Sequence, residues 1–277
     1  MKRLIVHKIV AGLILAMTLP SCRAWILEDR TVCPSFVFFD VQDANGLART
    51  RDIVVEVKTL PEGAELARDT VALGTLDSRS YHLEVSKSSH VVASGITGVR
   101  IAAKEGSQWT VPVGSQWEPV YIFNSEADAT GEETHIPVVF TKEHSQVTVR
   151  FHSDDGLFPY YVVAKSGTCG MDASTGKPVK GIFRYTPAEG NPGEFSFIVP
   201  RQADYGLSLE MWAKSGVSAE EGKVDEILLW SALERVPRFD WSLTNLPDII
   251  VDIDYVRSQL TLTVNDWTEV VTLDYKI

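Results

Sequence analysis

Residues 53–58 read Ile-Val-Val-Glu-Val-Lys, and this stretch carries the pattern that decides the fold. The apolar residues Ile53, Val55 and Val57 alternate with Val54, Glu56 and Lys58. Successive side chains of a β-strand point to opposite faces, so a period of two places one face in a core and the other in solvent. The stretch therefore predicts a half-buried β-strand.

The same period recurs along most of the chain. Further alternating runs lie at 81–85, 147–152, 195–199, 207–211, 249–255 and 260–264. Turn residues separate these runs, as at Asn45-Gly46 and Pro192-Gly193. We therefore predict an all-β fold made of two antiparallel β-sandwiches in tandem. One region stays open, because Ser218 to Glu221 could begin a helix that runs to Val236, whereas 227–230 could equally form a strand.

The length of 277 residues fits two domains after a signal peptide. We predict a signal peptide at 1–21, an N-terminal sandwich at 22–143 and a C-terminal sandwich at 144–277. The polar segment 124–133 could be a linker or a long loop of the first domain. We favour the loop, because a domain that ended before Ile136 would lose the apolar strand at 136–140.

The N-terminus indicates the cellular compartment. Three basic residues precede an apolar stretch at 9–19, and Leu19-Pro20-Ser21-Cys22 follows at once. A small residue before a cysteine, three residues after a leucine, is typical of sites cut by lipoprotein signal peptidase. We predict that Cys22 becomes the acylated first residue and holds the protein on a membrane. The alternative is an ordinary signal peptide with a chance cysteine.

Charge and cysteine content narrow the possible ligands. The formal net charge of −11 argues against binding to nucleic acid or to anionic lipid. Cys33 and Cys169 could form a disulfide in an oxidising envelope or could stay unpaired. No CxxC or HExxH motif is present, so we predict no metal site and no cofactor beyond the covalent lipid at Cys22.

Catalytic motifs are absent from the sequence. There is no Gly-x-Ser-x-Gly elbow and no glycine-rich phosphate loop before a helix, so we expect neither an enzyme nor a small-molecule substrate. Trp109, Trp117 and Tyr121 could form an aromatic platform for sugars, although sandwich cores also use such residues.

The C-terminus ends on a further alternating run. Its apolar side chains are Val271, Leu273, Tyr275 and Ile277. A terminal strand with one apolar face must bury that face or become an edge prone to aggregation. The run could complete its own sheet, or it could be donated to a partner that lacks a strand.

A succession of short motifs resembles a known family. Cys22 is followed by Glu28-Asp29-Arg30 and by Cys33-Pro34 before an apolar strand. Later come 195–197 (Phe-Ser-Phe) with 200–202 (Pro-Arg-Gln), then 246–255, and finally Asp266-Trp267. Their order and spacing resemble the fimbrillin-associated anchor proteins of Bacteroidales, over the whole chain after the signal peptide.

The resemblance implies two transthyretin-like sandwiches and a lipoprotein that attaches a fimbria to the outer membrane and limits its length. Its partner would be a shaft subunit, reached through a donated C-terminal strand. In related polymerising subunits, a protease removes the first strand after an arginine. We expect the corresponding Arg49 and Arg51 to stay uncut here, which would keep Cys22 joined to the body. The main alternative is a surface lipoprotein that binds glycans for an uptake system.

Overall fold

The computed structural model describes residues 33–98, 103–153, 158–203, 206–215, 222–237, 239–254, 259–264 and 267–272. Nearly all of the regular structure in these ranges is β, which confirms the predicted all-β class. The strands of the first half are β1 (Ser35–Asp43), β2 (Asp52–Thr59), β3 (Glu65–Ala72), β4 (Leu83–Val85), β5 (Ser88–Thr97), β6 (Ala103–Glu105), β7 (Gln108–Thr110), β8 (Tyr121–Ala129), β9 (Glu133–Val139) and β10 (Thr141–Lys142).

The second half continues the series. Its strands are β11 (His144–His152), β12 (Tyr160–Asp172), β13 (Lys177–Tyr185), β14 (Glu194–Pro200), β15 (Ser208–Ala213), β16 (Lys223–Ile227), β17 (Ile249–Asp254), β18 (Gln259–Val264) and β19 (Trp267–Thr272). Two short helices, α1 (Leu73–Leu76) and α2 (Leu229–Leu233), complete the elements of the described ranges.

The first sandwich packs two sheets over one core. Sheet I has the order β4-β1-β9, and sheet II has the order β10-β8-β5-β2-β3. Every second residue of β9 is buried, and β1 likewise buries alternate residues as far as Phe39. The core between the sheets includes Val37, Ile53, Phe123 and Ile136.

The second sandwich is built in the same way from sheets III and IV. Sheet III has the order β14-β11-β17-β18-β19, and sheet IV has the order β16-β15-β12-β7-β6, with β13 paired to the other edge of β12. Its core is a separate cluster that includes Val149, Phe183, Phe197 and Ile253.

Both sandwiches share one topological feature. In sheets I and III, the earliest described strand, β1 or β11, lies inside its sheet and pairs in parallel with a later strand, β9 or β17. Parallel neighbours require a long crossover, so each first strand is fixed by chain that lies far away in sequence. The two-sandwich arrangement agrees with the sequence pattern, whereas the transthyretin-like assignment stays a prediction.

The hairpin β6–β7 lies in the first half of the chain but belongs to a sheet of the second sandwich. The predicted division after residue 143 assigns it to the N-terminal domain, but β7 pairs with β12 of sheet IV, with Trp109 opposite Met171. The segment from Trp109 to Val120 contributes Trp109, Val111, Trp117 and Val120 to the second core. Gly170 permits the pairing, because a Cβ there would collide with the Trp109 carbonyl oxygen.

Two local expectations also need correction. The polar segment 124–133 is neither linker nor loop over most of its length, because β8 runs through Ala129 with its polar side chains largely at the surface. The region left open between helix and strand contains both, since β16 ends at Ile227 and α2 begins at Leu229. Residues 216–221, which include most of the predicted helix start, lie outside the described residues.

In the described ranges, the helices are too short to cross a bilayer.

Candidate functional site

Strand β1 is the element through which a tether at Cys22 would act. It pairs with β4 through Ser35, Phe36 and Val37 and with β9 along nearly its whole length. Val37 is fully buried and Phe39 is 4% exposed, both within the first core. The strand next to the predicted lipid attachment is therefore an integral part of the sandwich. Cys22 itself lies outside the described residues.

The segment after β1 carries Arg49 and Arg51, the two arginines that we expect to stay uncut. The Arg49 side chain is 77% exposed and forms a 3.0 Å ion pair with Asp77. Its carbonyl accepts a 2.8 Å hydrogen bond from the Gly74 N–H, and the Arg51 carbonyl accepts one of 2.8 Å from the Leu73 N–H. Both peptide groups are thus bound to the start of α1.

The Arg51 side chain is more firmly held than that of Arg49. Its Nε donates a 2.8 Å hydrogen bond to Oγ1 of Thr97, which is 1% exposed. A second, longer bond of 3.4 Å runs from Nη2 to the Pro119 carbonyl. Because a protease must draw an arginine side chain into its own pocket, cleavage at Arg51 requires these contacts to break.

The turn that follows β1 contacts the second sandwich directly. Asn45 adopts a positive φ of 50° in this turn. Its side-chain Nδ2 donates to Oδ1 of Asn245 at 2.6 Å and to the Phe140 carbonyl at 3.2 Å. The same Asn245 oxygen accepts a 2.9 Å bond from the Lys142 N–H. One amide oxygen thereby joins the end of β1 to the chain between the sandwiches.

The junction between the sandwiches is buried rather than solvated. Glu143 is 4% exposed and forms a two-point ion pair with Arg201, which is 8% exposed. Arg201 also donates to the Trp241 carbonyl, and Thr141 donates a 2.9 Å bond to the Glu143 carboxylate. A buried charge pair is tolerated when further hydrogen bonds satisfy both partners. The predicted boundary residues thus form a fixed joint.

His144 continues this joint. Its Nδ1 lies 2.9 Å from the Val120 carbonyl, so the proton sits on Nδ1 and is donated to that oxygen. Burial lowers the pKa of His144 to about 4, although the bond to Val120 opposes the shift. The imidazole is therefore neutral at pH 7 and contributes packing, including an edge contact with the Tyr121 ring.

A second charge cluster holds the crossing hairpin to the first sandwich. The Glu56 carboxylate, 6% exposed, is paired with Lys104 of β6 and with Lys58 at 2.7 Å. Burial opposes ionisation of Glu56, but the hydrogen bonds from both lysines outweigh it and lower its pKa. The two sandwiches are consequently joined at several separate points.

The proposed aromatic platform for sugars is not formed. Trp117 is 1% exposed and lies in the second core, and Trp109 is 7% exposed beneath the Lys104 ammonium. Tyr121 packs against His144. Trp109 and Trp117 therefore belong to the interior, and the three side chains do not form an exposed platform for a glycan.

The two cysteines of the described residues are free thiols. Cys33 is exposed at the start of the first sandwich, whereas Cys169 is half-buried on β12 of the second. The sequence left open whether Cys33 and Cys169 form a disulfide, and in the structure they do not. Burial raises the pKa of the Cys169 thiol.

The predicted donor strand is described only in part. Val271 belongs to β19, where it pairs with Leu260 at one edge of sheet III. The run therefore begins as a strand of its own sheet. Leu273, Tyr275 and Ile277 lie outside the described residues, so donation of this tail stays a prediction.

The described ranges contain no group of three or more His, Cys, Asp or Glu side chains that could hold a metal ion. Sequence reasoning did not identify the Asn45–Asn245 contact or the Glu143–Arg201 pair. Both depend on residues far apart in the chain, which local sequence patterns do not relate to each other.

No protein-family model matches this chain, and no curated protein sequence matches it significantly. The fold is nevertheless shared with solved structures. The fimbrial anchor protein Mfa2 from Porphyromonas gingivalis has a TM-score of 0.63 at 12% identity, over 85% of this chain and 99% of that one. A candidate polysaccharide-binding protein from Bacteroides thetaiotaomicron has a TM-score of 0.60 at 13% identity, over 86% and 98%. A candidate adhesin from Bacteroides ovatus has a TM-score of 0.60 at 10% identity, over 86% and 95%.

Proposed function

We propose that this chain is a lipid-tethered, non-enzymatic subunit that fixes a fimbria to the outer membrane and ends its growth. The observation that carries the proposal is the position of β1. This strand follows the predicted acylation site, lies inside sheet I and buries Val37 and Phe39 in the core. In a subunit that keeps this strand, the place of β1 itself is occupied, so a neighbour's strand cannot replace it.

The fold supports a role at the cell surface. Its structural neighbours include a fimbrial anchor protein and a candidate adhesin. The rigid contacts at the Glu143–Arg201 pair and at Asn45 fit a subunit that must carry load between a membrane and a filament.

The first experiment concerns the mature N-terminus. Cells that express the full chain are fed an alkyne-labelled fatty acid, and the protein is isolated from the membrane fraction. We expect label on the wild type, no label on Cys22→Ala, and label on the matched Cys33→Ala variant. A membrane-held protein whose N-terminus is Thr50 or Asp52 contradicts the uncut tether.

The second experiment concerns the donated tail. Serine replaces the apolar set Val271, Leu273, Tyr275 and Ile277 in one variant and the polar set Thr272, Asp274 and Lys276 in a matched control. We expect fimbriae to be shed from cells that carry the first variant only. Retention of fimbriae by both strains rejects the donor role of this run, whereas loss in both points to a general folding defect.

A further inference from the structure

One edge of β1 is only half covered. Strand β4 pairs with β1 through Ser35, Phe36 and Val37 and then ends, whereas β9 continues along the opposite edge as far as Asp43. The bond from the Phe36 N–H to the Glu132 carbonyl fixes which backbone groups face β9. By alternation, those of Phe38 and Asp40 also face β9, and those of Phe39 and Val41 face the open side.

No described residue pairs with the backbone of Phe39 or Val41 on that side. A cleft of about 630 Å³ lies there instead. Its walls are β1 from Phe38 to Gln42, residues 77–79, and Glu133 and His135 of β9, so the cleft also extends over the outer face of sheet I. An unpaired strand edge is a template for an added strand, because its N–H and C=O groups repeat at the spacing of another extended chain.

The side chains around the cleft indicate what kind of strand fits. Asp40, Asp77 and Glu133 line it together with Arg79 and His135, and Asp77 is also paired with Arg49. Asp40 is 59% exposed and points to the outer face, where its partner is His135 at 3.2 Å. Toward the inner face, Phe39 packs on the Tyr81 ring at 6.1 Å.

We propose that this cleft binds an extended segment of a partner polypeptide, added antiparallel to β1 in line with β4. Every second residue of the added segment would lie beside Asp40 on the outer face and would be basic. The residues between them would lie beside Phe39 and Val41 and would be apolar. A second copy of this chain is a poorer occupant, since each copy carries a net charge of −11. The proposal does not depend on the fimbrial role.

The test uses two synthetic hexapeptides, one alternating valine with lysine and the other alternating valine with glutamate. Amide hydrogen exchange is followed by NMR on the chain from residue 22 onward with Cys22→Ser. In the free protein we expect fast exchange at Phe39 and Val41 and slow exchange at Phe38 and Asp40. The lysine peptide should slow exchange at Phe39 and Val41 at least about tenfold and bind at least about tenfold more tightly than the glutamate peptide.

Two variants and one control variant sharpen the result. Val41→Pro removes one N–H that faces the cleft and should abolish binding. Asp40→Lys keeps the backbone intact and should weaken the lysine peptide about tenfold, whereas Glu62→Lys, the same charge change in an exposed turn, should not. Slow exchange at Phe39 and Val41 in the free protein, self-association through this edge, equal binding of both peptides, or protection by soluble oligosaccharides alone overturns the proposal.

Discussion

Asn45 Nδ2 lies 2.6 Å from Oδ1 of Asn245, and this single hydrogen bond joins the turn after the first strand to the second sandwich across 200 residues of sequence. The contact depends on the left-handed backbone of Asn45, which asparagine adopts more readily than most residues. The contact therefore depends on both the backbone conformation and the side-chain amide of Asn45.

Removal of this contact should lower stability modestly. We expect Asn45→Gly, which keeps the positive φ accessible, to reduce the free energy of unfolding by about 1 kcal/mol. Asn245→Ala should cost a similar amount, because it also deprives the Lys142 N–H of its acceptor. Urea denaturation of both single variants and the double variant gives the coupling energy. Strictly additive effects would show that the two side chains do not interact.

The buried pair at the junction should be far more sensitive. Arg201→Met leaves the Glu143 carboxylate buried without its cation, so we expect a loss of about 3–5 kcal/mol in the free energy of unfolding. Replacing both residues, with Glu143→Gln and Arg201→Met, should recover part of this loss. The matched control is Arg150→Met, which breaks a more exposed pair with Glu194 and should cost less than about 1 kcal/mol. Equal losses for Arg201→Met and the control contradict a buried joint.

His144 should make stability depend on pH. Its pKa is about 4 in the folded chain and about 6.5 in the unfolded chain, so the unfolded state binds the extra proton between these values. The stabilisation is complete above pH 6.5 and falls as pH drops toward 4, on the order of 3 kcal/mol for a group this buried. Urea denaturation across this range measures the slope. His144→Gln should flatten it.

The two thiols should differ in reactivity. With Cys22→Ser in place, we expect iodoacetamide to label the exposed Cys33 at least about tenfold faster than Cys169, whose thiolate is disfavoured by burial. Mass spectrometry after graded labelling measures both rates, and Cys33→Ser identifies the slower site. A mass two hydrogens lighter in the unlabelled protein would reveal a disulfide and contradict the free-thiol state.

The sequence predicted the strands better than their partners. Alternation identified the strand at 53–58 and the run at 147–152 because each needs only local information about which side chains face a core. Alternation says nothing about which sheet a strand joins. The hairpin β6–β7 was therefore assigned to the first sandwich, although Trp109 pairs across to Met171.

The amino-acid composition of two regions suggested features that the structure does not have. The charged segment 124–133 was taken for a loop, yet sheet II lets β8 present polar side chains to solvent without ending the strand. Trp117 was considered as a sugar platform, but its burial depends on strands from the other half of the chain. The acylation of Cys22 and the donation of the tail beyond Val271 stay predictions.

The parallel pairing of β1 with β9 has a mechanical consequence. A force applied at the N-terminal end of β1 and resisted by the second sandwich acts along the strand, across the hydrogen bonds that join it to β9. Those bonds must then rupture together by sliding, whereas a perpendicular force would open them one after another like a zipper. A protein pulled in this direction resists extension far better than its modest thermodynamic stability suggests, and single-molecule stretching from opposite corners can reveal that anisotropy.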